Sequence, residues 1–451
     1  NAVAARSLGA AHYGTYYQAM TFASFAFLFV EWGQPALLTG SVATQRERAG
    51  ELLGSGLAFR LMAAAVVIIA VPLLAMAVDR DRDFLAVLLL ASALGLFGTI
   101  AGACQDVFRG YERTDFAALS MVGWQVLSAA VVIPTLLAGG GLMDMLAAQA
   151  ACAALGAGFV FWMVPRMGVP PLRVRAATIR ELWQRGHPFF IFALVLALQP
   201  LVEALMLSWF ASEEEMGWFA VSRKLVAVLA FPSSALLASL YPTLCRLRSE
   251  SDAAFRSTAG ESLVIITIVA VPLALGCLLY PGIGVAIFGT GSFAPAEDNL
   301  RILSAWLLLA YMSVVVGSTL TASGLQRPWT LALLGGVLTG ALLNAPLIHW
   351  FQQHGGNGGM GVCLAALLGE IVTLAFAVRL LPRGLVAGIE RSRWLPPLAG
   401  AAVMIAVALA TMRLPALVGA ACAGLAYVAA LHFTGGLQWL RLRVRPGAQR
   451  G

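Results

Sequence analysis

The sequence predicts an all-α, polytopic membrane protein: about fourteen transmembrane helices, arranged as two pseudo-symmetric six-helix lobes followed by two further helices. Three observations predict it. Apolar residues make up 60% of the 451-residue chain and charged residues only 11%, where a soluble domain carries about 25%. So few charges cannot clothe a water-facing surface of this size. The apolar residues also fall into runs near the roughly 20 residues that a helix needs to cross a bilayer. Finally, short polar marks recur in the same order in the two halves. The composition excludes a secreted disulfide scaffold, a nucleic-acid-binding domain and an ordinary cytosolic enzyme.

In chain order, the segments expected to span are 13–38, 55–78, 84–107, 116–137, 144–164, 188–210, 216–242, 262–287, 302–322, 329–351, 361–381, 394–412 and 416–433. Residues 1–9 read as the tail of one more helix. The connections are short. The longest, 165–187, is strongly basic, and the next, 246–261, is about sixteen residues. No connection could form an extramembrane domain, so activity is expected within the bilayer or at its surfaces.

Arginines set the orientation. Connections on one side, with the C-terminal tail, hold 21 of them, and the opposite side holds five. Positive residues stay in the cytoplasm, so the majority side, including the tail, is expected to be cytoplasmic. The net charge of +7 is therefore a topology signal. Trp162, Trp183, Trp209, Trp218, Trp329, Trp350, Trp394 and Trp439 sit near expected helix ends, as an aromatic belt would.

Two pairs of segments suggest an internal repeat. Gly14-Thr15-Tyr16-Tyr17 opens one long segment and Gly217-Trp218-Phe219-Ala220 another. Further on, Arg109-Gly110-Tyr111-Glu112-Arg113 corresponds to Ser323-Gly324-Leu325-Gln326-Arg327. A six-helix repeat unit is even, so both copies share one orientation, and a substrate path is expected between them. The expected organisation is an N-terminal lobe at 1–165, a basic cytoplasmic linker at 166–187, a C-terminal lobe at 188–382, and two added helices with a basic tail at 383–451.

Six cysteines and five histidines are scattered without metal-binding spacing, so no metal or cofactor is expected. Phosphate-loop, HExxH and GxSxG signatures are absent. Movement of a substrate would then draw on an ion gradient, the membrane potential or the substrate's own gradient.

Charges within apolar segments are costly and direct attention to function. Gln199 and Glu203 lie four apart, on one helical face, with Pro200 between them. Arg223 and Lys224, the latter the sole lysine, lie about two turns into the next segment. They read either as an ion pair with Glu203 that fixes packing or as a cationic substrate site. Glu31, beside Gly33 and Pro35, marks a broken or flexible segment, a candidate portal or gate along with Pro200. Arg60, about one turn into its segment, reads as a snorkelling residue or a further substrate contact. Asp106 with Arg109 reads as a local surface pair. Asn344 and Glu370 read as packing residues bonded across helices.

Several stretches resemble a known family. Ala5-Arg6-Ser7-Leu8-Gly9 followed by Tyr13-Gly14 is similar to the opening of Wzx-type polysaccharide flippases, in the multidrug/oligosaccharidyl-lipid/polysaccharide exporter superfamily. The resemblance continues through Phe231-Pro232, Tyr241-Pro242 with Arg246 and Leu247, Ser323–Arg327, Asn344, and the stretch from Gly358 to Glu370. It implies two six-helix lobes, alternating access around a cationic cavity and a polyprenyl-diphosphate-linked oligosaccharide as substrate. Arg223 falls where the related lipid II flippase has an arginine, and Glu31-Trp32-Gly33 resembles that protein's portal. Ala26, Phe27 and Leu28 stand where that flippase has basic residues, which points to an O-antigen, capsule or exopolysaccharide unit. Membrane lipids and polysaccharide-assembly proteins such as a polymerase are the expected partners, without nucleic acid. A cation-coupled drug exporter and a membrane glycan polymerase or ligase are the alternatives.

Overall fold

A computed structural model of the chain describes residues 2–77, 82–289, 291–381 and 391–436. The connection at 382–390 before the two added helices, and the basic tail from 437, with Arg441, Arg443, Arg445 and Arg450, lie outside the described residues. Among the described residues the fold is all-α, with sixteen α-helices and three short 3-10 turns. Ten helices are long and apolar enough to cross a membrane. Three expected spans are not among those ten. Segments 13–38 and 216–242 are each broken in two, and 394–412 shortens to a 16-residue helix behind a 3-10 turn.

The chain forms two compact units. The first comprises Asn1–Ser208 with Ser212–Gly217, and the second comprises Trp209–Ala211 with Trp218–Gly451. Unit 1 contains α1 (Ala2–Glu31), α2 (Gln34–Thr44), α3 (Ala49–Ala77), α4 (Arg82–Gly110), α5 (Thr114–Leu137), α6 (Leu142–Met163) and nearly all of α7 (Ala176–Phe210). The expected residues 1–9 and 13–38 meet inside α1 at Gly9, whose φ of 78° and ψ of 176° are non-helical.

α4 runs through the middle of unit 1. One end packs Phe84, Val87 and Leu88 with Ala19 and Ala23 of α1 and Met145 and Leu146 of α6. Its other end packs Val107 and Phe108 with Leu38 and Val42 of α2, Leu52 and Leu53 of α3, and Leu182 of α7. Outward-facing apolar side chains such as Leu119, Val122 and Val126 on α5 remain exposed, as a lipid-facing surface requires.

The basic connection at 166–187 is only partly a loop. A 3-10 turn at Pro165–Met167 ends in left-handed Gly168, an extended stretch follows, and α7 is helical from Ala176. The extended stretch is stitched to α3. Arg173 N–H donates to Gly50 O at 3.3 Å and Arg175 N–H donates to Ser55 Oγ at 3.1 Å. A Cβ on Gly50 or Gly54 would collide with this strap. Beside it, Glu51 accepts from Thr178 Oγ1 at 2.6 Å, and Arg48 lies 3.0 Å from Glu181.

Unit 2 contains most of α8 (Glu213–Leu229), then α9 (Phe231–Glu250), α10 (Asp252–Leu279), α11 (Pro281–Phe288), α12 (Ala296–Ala322), α13 (Gln326–Gly355), α14 (Gly358–Leu380), α15 (Leu395–Ala410) and α16 (Ala416–Phe433). The expected loop at 246–261 is helical except at Ser251, whose hydroxyl caps α10 by accepting from Ala254 N–H. Span 262–287 is interrupted at Tyr280, because Pro281 lacks the N–H that would continue the ladder.

α13 and α14 form a hairpin of closely apposed backbones. A Cβ on Gly361 would lie 2.5 Å from Ile348 N, and one on Gly369 would lie 2.6 Å from Gly336 O. Small residues permit such approach where apolar driving force between helices is lacking. α15 and α16 pack on α10, where Tyr427 Oη donates to Ile268 O at 2.8 Å.

Candidate functional site

Two polar constellations lie within apolar helices, one in each unit. That of unit 1 is built on the break between α1 and α2. Trp32 (φ 47°) and Gly33 (φ 69°) both adopt left-handed backbone, a conformation that glycine accepts readily and tryptophan does not. Gly33 is also required sterically, since a Cβ would meet Gly186 O and Phe190 N of α7. The Trp32 ring stacks on Trp183 at 3.9 Å and on Phe190 at 4.2 Å, and its Nε1 donates to Trp183 O at 3.0 Å. Pro35 then starts α2, where a missing N–H costs nothing.

Immediately beyond the break, Gln34 accepts from Arg60 Nε at 3.0 Å. Arg60 Nη1 donates to Thr99 O at 2.9 Å and Nη2 to Asp106 Oδ2 at 3.4 Å. Arg109 Nη1 donates to the other Asp106 oxygen at 2.9 Å. Arg60 is 0% exposed and Asp106 2%, which corrects two expectations. Arg60 does not snorkel. α3 begins at Ala49, so Arg60 lies about three turns in rather than one. Asp106 is not a surface residue but the buried counter-charge of Arg60, with Arg109 at the rim. As placed, Arg60 spends its donors on unit 1 itself.

Beside this cluster, α1, α4, α5 and α6 line a half-open cavity of about 410 Å³, with Glu31, Thr99, Gln105, Ser120, Phe27 and Trp124 among its walls. Further along, Gln199 Nε2 donates to Glu203 Oε1 at 3.1 Å on α7, and Glu203 is buried. α7 continues as helix through both Pro188 and Pro200.

In unit 2, Arg223 of α8 is half-buried, and its guanidinium lies 4.7 Å from the centre of the Trp306 ring on α12. Its charge also acts on the carboxyl of Glu370 on α14, which accepts a hydrogen bond from Ser313 Oγ of α12. Lys224, the next residue, lies on the exposed face of α8 with Ala227 and Val228. Glu370 therefore finds its cross-helix partner in Ser313, not Asn344, whose buried Oδ1 accepts no hydrogen bond. The break between α8 and α9 falls at Ala230. There Tyr311 Oη of α12 donates to Leu229 O, and Ser233 Oγ donates to Ala230 O at 2.7 Å.

Sequence reasoning missed Gln34, Thr99, Trp306, Tyr311 and Ser313. A tryptophan and a tyrosine in the middle of an apolar span, away from its ends, were the available signals. Each polar tip needs a partner within the bilayer. Among the described residues, no group of histidine, cysteine and acidic side chains could hold a metal.

Long apolar helices, helices broken at Gly33 and Ala230, and buried charges define a multi-pass membrane protein. Its fold is that of the superfamily anticipated above. It matches the lipid II flippase MurJ in an inward closed conformation with a TM-score of 0.75, at 13% identity over 96% of this chain and 95% of that one. An inward-facing multidrug resistance MATE family transporter of the MOP superfamily matches at 0.67, with 12% identity over 84% of this chain and 94% of that one. A MOP superfamily transporter from Pyrococcus furiosus, whose binding pocket is described as reversed in polarity, matches at 0.56, with 13% identity over 82% and 86%. No curated protein matches. The family model for polysaccharide biosynthesis proteins matches residues 1–248. The chain belongs to that family.

Proposed function

We propose that the protein is a flippase that moves a polyprenyl-diphosphate-linked oligosaccharide across the bacterial inner membrane by alternating access. The observation that carries this reading is Arg223. It is a guanidinium kept part-buried on α8 against an aromatic face, with Lys224 exposed beside it. Adjacent cations of this kind suit a diphosphate, which guanidinium groups bind in bidentate fashion. Membership of a polysaccharide biosynthesis family supports a glycan cargo. The arginine asymmetry supports a cytoplasmic C-terminus and loading from the inner leaflet. Binding and release move the cargo without making or breaking a bond, so no catalytic residue is assigned. The same cations disfavour a cationic drug as cargo. O-antigen, capsule and exopolysaccharide repeat units are the candidate cargoes, handed on to a polymerase or other assembly protein.

The test compares Arg223→Ala with Arg223→Ala/Glu370→Gln, reading protein level and surface polysaccharide. Loss of one charge-assisted contact weakens diphosphate binding about 10- to 150-fold, so export should collapse in both variants while the double variant accumulates normally. Arg223→Lys should be milder, since charge remains without the planar fork. Full export by the double variant would show that Arg223 serves only to balance Glu370, and would overturn the assignment.

A further inference from the structure

The cavity of unit 1 is lined by residues of that unit alone, and its lining is chemically selective. Most of its wall is apolar, including Phe27 and the indole of Trp124, for which Gly156 makes room. Five polar residues interrupt this wall: Ser24, Glu31, Thr99, Gln105 and Ser120. Gln105 Nε2 is committed to Ser120 Oγ at 3.1 Å, and that hydroxyl donates to Ala117 O. Thr99 is 2% exposed, and its Oγ1 has no hydrogen-bond partner among the described residues. A buried hydroxyl left unpaired costs stability, so its presence at a cavity wall points to a ligand.

Charge balance indicates what kind. Two carboxylates, Glu31 and Asp106, are close to Arg60, and Arg109 pairs with Asp106. Of these four groups only Glu31 lines the cavity; Arg60 beside it acts on its charge, and the group as a whole balances, which disfavours a bare cation. Its volume of about 410 Å³ is also many times the ~30 Å³ that a single water takes up. A neutral ligand with hydroxyls around its edge and C–H groups on its face would satisfy both walls: hydroxyls to Glu31, Gln105 and Thr99, the apolar face to Trp124 and Phe27.

We infer that this cavity is a subsite for one neutral sugar ring of the transported glycan. The inference rests on the flippase reading and deepens it, since it assigns recognition of the sugar to unit 1 and of the diphosphate to Arg223.

The test uses purified protein in nanodiscs and two probes. One is the lipid-linked oligosaccharide extracted from the organism that makes this protein, and the other is sugar-free undecaprenyl diphosphate. Thr99→Val is the informative variant, because it deletes a hydroxyl that bonds nothing within the protein. Its thermal midpoint should be unchanged or raised, its affinity for the glycan-bearing lipid should fall about 3- to 10-fold, and its affinity for undecaprenyl diphosphate should stay the same. Gln105→Leu should act in the same direction. Wild-type affinity for both lipids in Thr99→Val and Gln105→Leu would overturn the subsite while leaving the flippase reading intact. So would binding that depends on sodium and is lost in Glu31→Gln but kept in Thr99→Val, which would make the cavity a cation site. If the wild-type protein binds neither lipid, the flippase reading falls and takes this inference with it.

Discussion

The α1–α2 break of unit 1 and the α8–α9 break of unit 2 follow the two glycines that the expected repeat pairs, Gly14 and Gly217, and each is followed within two residues by a proline. They are held by different means. The first uses two left-handed residues, an aromatic stack and a buried arginine with three protein partners. The second keeps ordinary helical angles at Ala230, and a tyrosine hydroxyl at Leu229 O and a serine hydroxyl at Ala230 O brace the backbone beside the point where Pro232 interrupts the ladder. A break fixed by charge has one permitted geometry, because any shift strands a buried ion. A break fixed by neutral hydrogen bonds can exchange partners at little cost. The difference teaches that chain interruptions at corresponding places need not be equally stiff, and that unit 2 carries the softer one.

The most severe way to break this contrast is Arg60→Met. It leaves Asp106 buried with only its rim partner and should cost about 3–5 kcal/mol, seen as loss of monodisperse protein after detergent extraction. Arg60→Met combined with Asp106→Asn should recover most of the yield. Failure to recover would mean that Arg60 acts through its bond to Gln34 rather than through charge.

Next in size is Gly33→Ala. A left-handed alanine costs about 1–2 kcal/mol, and contact with Gly186 O and Phe190 N raises the total to about 2–4 kcal/mol. A lowered thermal midpoint is expected, with Trp32 fluorescence shifted as its stack on Trp183 loosens.

The mildest is Tyr311→Phe, which removes one hydrogen bond to Leu229 O and should cost about 1–2 kcal/mol. Hydrogen exchange should quicken at Ala230 and Ser233 while amides near Gln34 stay protected. If Tyr311→Phe proves as damaging as Arg60→Met, the two breaks are equally stiff and the contrast fails.

The positions of the helices were legible because apolar runs near twenty residues leave little choice in a bilayer. The interruption at Glu31, Gly33 and Pro35 was legible too, since a charge, a glycine and a proline coincide inside an apolar run. Ala230 was read through, because hydrophobicity continues on both sides of Pro232 and the compensating Tyr311 lies 82 positions away. The basic linker was read as loop because its charges are dense. Glu181 and Arg185, four apart and paired at 2.8 Å, are nonetheless helix formers in a helical spacing. Arg60 was misplaced by six residues of helix boundary, enough to move it from a bilayer surface to a buried position. Its partner Asp106 lies 46 positions on, and no local pattern records that distance.

The strap at 169–175 has a consequence for how the chain is made. Arg173 is synthesised 118 residues after Ser55, the residue whose hydroxyl it bonds. Its dock on α3 has therefore left the ribosome, with α4 to α6, before the strap itself emerges. Domains fold in order of synthesis, so the growing polypeptide meets a finished receptor for its own next segment. Fastening the strap fixes where α7 begins before the later helices exist, and insertion of the second half of the protein starts from an anchored end rather than a loose one.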